Sequence, residues 1–462
     1  MTRKKILTLL GSVCLALMMV VPLMIVPAAA SAAEEADLLE GSFICEQDGW
    51  LFVHLEGSPY QIGYQNGYLT AENANYWLIS YVGTGKNAER VRERAQNIWP
   101  MIPKEYQDEI DGIVDGLHAA GYTNWDRWDV AAANFWGESY GCSAFVAAGD
   151  ATTDGQIVIG HVTMFDVSWD FMYYVMYDVT PDEGYRFRYQ SAGGSIWSGQ
   201  DWYINETGLV ITCTSVYGNE VRNPEGTPIF VRLRQAVQYT DNIDDFIDMM
   251  VTNNSGIYAA EWLVGDAKTG EICSLMLGCY AWDIHRTFDG FYPSCNYAWY
   301  ENYRTEAGLP VPAPDPPRGA NSNRARRWLE LIDQYYGEVD VEVGKLFLGD
   351  DIISLYDPTG TLGGYDGKVT STDLVLDNMG MWARWGNAAG KSFDLEAYLA
   401  GKSEEWIASE QEYIAGLRHY VERTPQPWTY LMKTVDIDIK PGKRHNSINQ
   451  GTDTVNIVPT KD

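Results

Sequence analysis

The residues best suited to chemistry in this 462-residue chain lie between Glu138 and Asp166. Gly141 precedes Cys142, small and apolar residues follow to Ala147, and a turn-forming run spans Gly149 to Gly155. A second apolar run, Ile157-Val158-Ile159, leads into Gly160-His161. The pattern predicts two short antiparallel strands joined by a tight turn, with Cys142 opening the first and His161 closing the second. Such a hairpin brings a sulfur and an imidazole to the same end. A thiol attacks only as thiolate, so it needs a proton acceptor and a site that tolerates the anion. A lone cysteine near a strand is more often packing than nucleophile, so context has to decide. One way to supply the acceptor is to make Cys142 the first residue of a processed chain. Glycine at 141 offers such a cleavage an uncrowded carbonyl and a backbone able to hold strain. The new α-amine, with a reference pKa near ~8, then takes the thiol proton at close range.

Several elements must hold this hairpin. Upstream, Trp50 to Leu55 reads as a strand and Tyr60 to Trp77 as a helix whose glycines allow close packing. Ala88 to Ala120 reads as two helices broken at Pro103, with Ile110, Ile113, Val114 and Leu117 on one face, and Asp129 to Trp136 continues the helical region. Downstream, Phe171–Val179 and Tyr185–Gln190 alternate as strands, and Asp201–Ser215 forms a hairpin turning near Glu206-Thr207-Gly208. Phe230–Met250 returns to helix, and Glu261–Gly265 with Glu271–Leu277 makes another strand pair. Ser322–Tyr336 is a helix with Asn321-Ser322 as cap candidates. Helices, then many strands, then helices predict a layered α+β fold with sheet packed on sheet.

The chain begins with Arg3, Lys4 and Lys5, an apolar run from Ile6 to Val26, and an alanine-rich exit. This reads as a secretory signal over residues 1–33, so the mature protein is expected outside the cytoplasm. A formal net charge of −30 disfavours nucleic acid and anionic membrane as partners. Of seven cysteines, Cys14 lies in the leader, leaving Cys45, Cys142, Cys213, Cys273, Cys279 and Cys295 with no scaffold-like spacing. The expected organisation is residues 1–33 as leader, 34–141 before the cleavage junction, 142–432 as the catalytic chain, and 433–462 as an appended β-rich tail. No cofactor and no metal is expected, since no histidine pair stands at metal-ligand spacing.

At the junction the chain resembles the phospholipase B-like proteins and, more distantly, the penicillin-acyltransferase and bile-salt-hydrolase groups of N-terminal-nucleophile hydrolases. The similarity rests on Cys142-Ser143-Ala144 with Gly160-His161-Val162-Thr163-Met164, where Val162 and Met164 depart from the family. It continues in Leu55 to Pro59, in Glu109 to Ile113, and in Leu209 to Ser215, where Cys213 replaces a family glutamate. Cys295-Asn296, Ser322-Asn323-Arg324 and Gly367 to Thr370 extend it to about Tyr398. The resemblance implies a four-layer αββα sandwich of antiparallel sheets, matured by self-cleavage between Gly141 and Cys142, whose two pieces stay associated. It also implies hydrolysis of an acyl amide or ester of a small acylated substrate through a thioester on Cys142. By carry-over, Asn296 is the side-chain oxyanion donor, His161 and Thr214 or Ser215 line the nucleophile's site, and Arg324 supports it by charge. Trp169, Phe171, Trp197 and Trp202 are compatible with a lipid-like acyl group and equally with core packing.

Two alternatives remain at this level. Gly137-Glu138-Ser139-Tyr140-Gly141 fits the Gly-x-Ser-x-Gly elbow of serine hydrolases, but that elbow needs a strand before the serine and a helix after it, the reverse of the order here. A non-catalytic exported binding protein could also keep the fold without the chemistry.

Overall fold

A computed structural model describes residues 35–83, 85–135, 141–315, 317, 321–357 and 361–431, with two short stretches at 444–446 and 456–457. The leader, Ser139 and most of the tail lie outside the described residues. In chain order the strands are β1 (Phe43–Gln47), β2 (Trp50–Gly57), β3 (Cys142–Gly149), β4 (Gly155–Asp166), β5 (Val175–Pro181), β6 (Phe187–Ser191), β7 (Trp202–Asn205) and β8 (Leu209–Ser215). They continue as β9 (Ala260–Asp266), β10 (Glu271–Leu277), β11 (Trp282–Thr287), β12 (Gly290–Ser294), β13 (Leu362–Ser371), β14 (Met381–Asn387) and β15 (Thr429–Leu431). The tail adds β16 (Arg444–Asn446) and β17 (Asn456–Ile457). The larger sheet runs β11-β10-β9-β8-β7-β6-β5-β2-β1-β16-β17, and the smaller runs β12-β3-β4-β13-β14-β15.

Side-chain alternation along β3 and β4 shows why the sheets stack. Successive strand residues face opposite sides. Ala144, Val146, Ala148, Ile157 and Ile159 therefore meet Ile204, Val210, Leu263 and Ile272 of the larger sheet in one buried cluster. Phe145, Ala147, Val158 and Val162 point the other way, onto Ala325, Trp328 and Leu331 of the helix Ser322–Tyr335 and onto Phe347 and Leu348 of Val341–Leu348. The far face of the larger sheet is covered by helices between Pro59 and Asn134 and between Ile229 and Val251. The result is an αββα sandwich with three buried layers of apolar side chains. Its sheets are antiparallel, with parallel joins where β2 meets β5 and β1 meets β16.

Residues on both sides of the junction share the larger sheet. β2 lies between β1 and β5, registered from Leu51 opposite Val175 to Gly57 opposite Pro181. The helices Pro59–Leu69 and Lys104–Ala119 approach backbone to backbone: a Cβ at Gly63 would stand 1.9 Å from Glu109 O, and one at Gly67 2.1 Å from Ile113 O. Only glycine permits that approach. No helix among the described residues is long and apolar enough to cross a membrane.

Several boundaries differ from the sequence-based expectation. The helix expected over Tyr60–Trp77 breaks at Thr70, whose hydroxyl turns back onto Asn66 O at 2.7 Å. The one expected over Phe230–Met250 breaks before Asn242, which caps a second helix by accepting from Asp245 N. The hairpin forms as expected, but β4 runs on to Asp166. His161 therefore sits within the strand, opposite Ala144, and Thr163 is the residue opposite Cys142. Trp197 and Trp202 are buried in the two cores. No disulfide joins the six described cysteines.

Candidate active site

Cys142 is the first residue of a central strand and is fully buried. Strand alternation turns its side chain to the same face as Ala144, into the space between the sheets. Its N–H donates to Asn296 Oδ1 at 2.9 Å, and its carbonyl accepts from Arg324 Nη1. The thiol points at Asp201 Oδ2, 3.7 Å away. Immediately upstream, Gly141 has φ +151°, a conformation that side chains disfavour, and a Cβ there would lie 3.2 Å from Asn296 Oδ1. The Gly141 carbonyl accepts the backbone N–H of Met164 at 2.7 Å, which extends the β3–β4 ladder by one step beyond Cys142 and Thr163.

Asn296 follows the end of β12 in a left-handed conformation, φ 59°, which asparagine tolerates. Its amide orientation is fixed by its neighbours. Oδ1 accepts from Cys142 N and from Arg324 Nη2 (2.7 Å), while Nδ2 donates to the Ser215 carbonyl (2.7 Å) and to Ser215 Oγ (3.2 Å). Asn296 thus presents an acceptor to the Cys142 N–H, and the donor expected of it is occupied by Ser215. Thr214 Oγ1 accepts Asn296 N at 3.0 Å and shares a 2.6 Å bond with Ser294 Oγ. Thr214 and Ser215 therefore hold Asn296, and reach Cys142 through it.

Arg324 enters from the first turn of the helix Ser322–Tyr335 and is buried. Its planar fork joins four oxygens, the Cys142 carbonyl, Ser143 Oγ at 3.1 Å, Asn296 Oδ1 and Asn321 Oδ1 at 2.7 Å, and also meets Met164 Sδ at 3.7 Å. Asn321 precedes the helix, yet makes no side-chain cap bond. It donates to Asn296 O at 2.9 Å instead.

His161 is fully buried, and neither ring nitrogen bonds a side chain. Burial, followed by the nearby Lys368 charge, holds the imidazole well below its usual range, so it is neutral. Cys142 Sγ, a His161 ring nitrogen and an Asp201 carboxylate oxygen lie within 4.8 Å of one another. Thiol, imidazole and carboxylate are donors that could hold a metal ion. Their positions, 142, 161 and 201, form no spacing motif, and the fold alone assembles them.

Three further residues complete the site: Asp201 and Tyr258 carry no sequence signal that singles them out, whereas Lys368 lies in the family-like segment Gly367 to Thr370. Asp201 is buried at the entrance to β7 with φ 53°. Burial pushes its carboxyl up to about 7, opposed by the hydroxyl of Tyr258, then by Cys213, Lys368 and Cys142. Tyr258 donates to Asp201 Oδ2 at 2.9 Å. Lys368 is buried on β13, bonded to Gln190 Oε1; burial lowers its ammonium to about 8, while Asp366, Cys142 and Asp201 act in the opposite sense. A lysine between Gly367 and Val369 on a strand buried on both faces was the available clue.

Fold and site together define a two-sheet αββα protein with a buried cysteine opening a central strand. A family model described as Phospholipase B matches residues 106–276. The matched span contains Cys142, His161, Asp201, Thr214 and Ser215, whereas Asn296, Arg324 and Lys368 follow it. This match agrees with the resemblance seen in the sequence and supports a hydrolase acting on acyl bonds. An uncharacterized protein of Archaeoglobus fulgidus is 28% identical over 436 residues, which is 80% of this chain and 70% of that protein. Two structures of a conjugated bile acid hydrolase from Clostridium perfringens align at TM-scores of 0.32 and 0.26, with 10% and 11% identity. They cover 53% and 54% of this chain and 89% and 83% of theirs.

Proposed function

We propose that the chain is an exported acyl hydrolase that cleaves itself between Gly141 and Cys142, and then splits acyl amides or acyl esters through a thioester on Cys142. The observation that carries this is the hold on the junction. The Cys142 N–H, the Cys142 carbonyl and the Gly141 carbonyl are each fixed, by Asn296, Arg324 and Met164 N–H, with the sulfur in the same strand residue. Strand backbone groups ordinarily pair with a neighbouring strand, whereas here the side chains of Asn296 and Arg324 take up the N–H and the carbonyl of Cys142. Fixing both the carbonyl to be attacked and the nitrogen to be expelled lowers the cost of reaching the tetrahedral geometry.

Once the peptide bond is broken, the new amine of Cys142 lies where its N–H now meets Asn296 Oδ1, and serves as the base for the thiol. Arg324 then sustains the cysteine carbonyl and the Asn296 amide together. The residues before the junction stay with the rest, because β2 pairs with β5, β1 pairs with β16, and Asn66 donates to Ser195 O at 3.0 Å. The acyl group accepted is a small lipid-like or amide-linked chain, in keeping with the Phospholipase B match.

The test is intact mass with N-terminal sequencing of the wild-type protein and of Cys142→Ala, followed by a screen of acyl amides and lipid esters. Two pieces from the first, one beginning at Cys142, and a single chain from the second are expected. An unbroken wild-type chain whose hydrolysis survives loss of the sulfur would overturn the proposal.

A further inference from the structure

An N-terminal nucleophile has its own amine as base only after cleavage. During the first cleavage the Cys142 nitrogen is an amide, which accepts no proton, and its N–H is already committed to Asn296 Oδ1. Another group must take the thiol proton at that stage. We propose that Asp201 is this group, the base that makes Cys142 a thiolate within the uncut chain. The proposal rests on the reading of Cys142 as a self-processing nucleophile, and adds a catalytic residue to it.

Geometry selects Asp201 among the groups present. Its Oδ2 is the acceptor toward which the Cys142 thiol points, at 3.7 Å, an S–H···O distance. His161 is neutral and within 4.8 Å, but no hydrogen bond joins it to the sulfur. Lys368 is a donor bonded to Gln190 and accepts a proton only once it has lost one. The setting suits a base: the carboxyl is buried, so its ionised form is less stabilised than in water and regains a proton readily. Tyr258 donates to the same oxygen at 2.9 Å and keeps the carboxylate aimed.

The steps balance. The thiol proton passes to Asp201 Oδ2, and the sulfur attacks the Gly141 carbonyl carbon, forming a C–S bond as the π electrons move to oxygen. That oxygen is held by Met164 N–H at 2.7 Å. The C–N bond to Cys142 then breaks and its electron pair stays on nitrogen, which takes the proton back from Asp201. The product is a thioester between Gly141 and the sulfur, with a free amine on Cys142. Water hydrolyses the thioester, its hydroxyl going to the Gly141 acyl carbon and its proton to the sulfur.

The experiment follows processing of pulse-labelled full-length chain by gel and mass, in wild type, Cys142→Ala, Asp201→Asn and Asp201→Glu. Asp201→Asn keeps an acceptor for Tyr258 but loses the base, so processing is expected to slow at least ~100-fold, within the usual range for a general base. Asp201→Glu is expected to recover part of it. Hydroxylamine, which cleaves thioesters, is added to the uncut Asp201→Asn chain: no cleavage is expected, because the shift to sulfur has not occurred. Cleavage at the junction by hydroxylamine, or processing within threefold of wild type, would overturn the role.

A measurement on the unmodified chain covers the case in which the variants misfold. The groups facing Asp201 are Cys142 of β3, His161 of β4, Cys213 of β8, Tyr258 and Lys368 of β13. Ionisation of Asp201 as base makes the wild-type processing rate rise through about pH 7 and then level off. A rate that is flat from pH 5 to 8, or that keeps rising tenfold per unit beyond pH 8, overturns the proposal. A wild-type chain that is never cut defeats the underlying reading instead, and Cys142→Ala cut as fast as wild type does the same.

Discussion

Arg324 Nη2 donates to Asn296 Oδ1 at 2.7 Å, and that same oxygen accepts the Cys142 amide proton at 2.9 Å. One guanidinium therefore sets the orientation of the amide that meets the Cys142 nitrogen. Asn296→Ala removes the acceptor and the Ser215-bound donor together. Self-cleavage and subsequent hydrolysis are both expected to fall by about 10²–10³ in kcat, the usual loss for one such polar group at a reacting centre. Single-turnover kinetics on the cleaved protein separates the two effects.

Lysine is expected to be a poor substitute at 324. The guanidinium reaches the Cys142 carbonyl and Ser143 Oγ with one nitrogen, and Asn296 and Asn321 with the other. An ammonium lacks that planar fork. Arg324→Lys should keep the fold, judged by circular dichroism, and still lose most of the processing rate. Restoration to near wild-type rates would show that charge alone suffices.

Gly141→Ala tests the backbone before the nucleophile. An alanine must adopt φ +151° with its Cβ 3.2 Å from Asn296 Oδ1, or rotate and withdraw the carbonyl from Met164 N–H. Slower appearance of the two pieces is expected, with little change in thermal unfolding of the uncut chain.

Stability should fall as the solution becomes alkaline. Glu261 is buried on β9, accepts from Ser274 Oγ at 2.8 Å, and is pushed up to about 8 by burial. A carboxyl whose folded pKa exceeds its unfolded value binds its proton more tightly in the native state. Its contribution is complete below about pH 4.5 and is lost as pH climbs through about 8. Asp201 acts in the same direction up to about 7. Glu261→Gln should flatten the dependence and gain on the order of a few kcal/mol at pH 8 relative to wild type. Urea unfolding at pH 5 and pH 8 checks it.

The helical pair before the junction should resist enlargement. At Gly67 an added Cβ would stand 2.1 Å from Ile113 O. Gly67→Ala must push the two helices apart and is expected to cost about 1–3 kcal/mol or more, measured by denaturant unfolding.

Much of this architecture was legible in the chain. The β3–β4 hairpin shows as two apolar runs about a glycine-bounded turn, and the layered order follows from helices bracketing strands. Strand length was not legible. Val162 to Phe165 continue β4 because each residue is buried from one side or the other, a tertiary fact with no local mark. Thr70 ends one helix and Asn242 opens another through side-chain bonds to the backbone, without glycine or proline to announce them. Asn321 resembles a cap in sequence but is drawn away by Asn296 and Arg324. Asn296 and Arg324 were visible through the family likeness, and Lys368 lay in its Gly367–Thr370 segment without a role, whereas Asp201 and Tyr258 come from separate loops. Their relation to Cys142 exists only after the sheets stack.

The seating of β2 between β1 and β5 has one more consequence. A cut at residue 141 leaves a single sheet woven from two polypeptides, so the finished molecule has the thermodynamics of a heterodimer. Its melting midpoint then depends on concentration, and dilution after unfolding sets the fragments searching for each other. The uncut chain escapes that dependence.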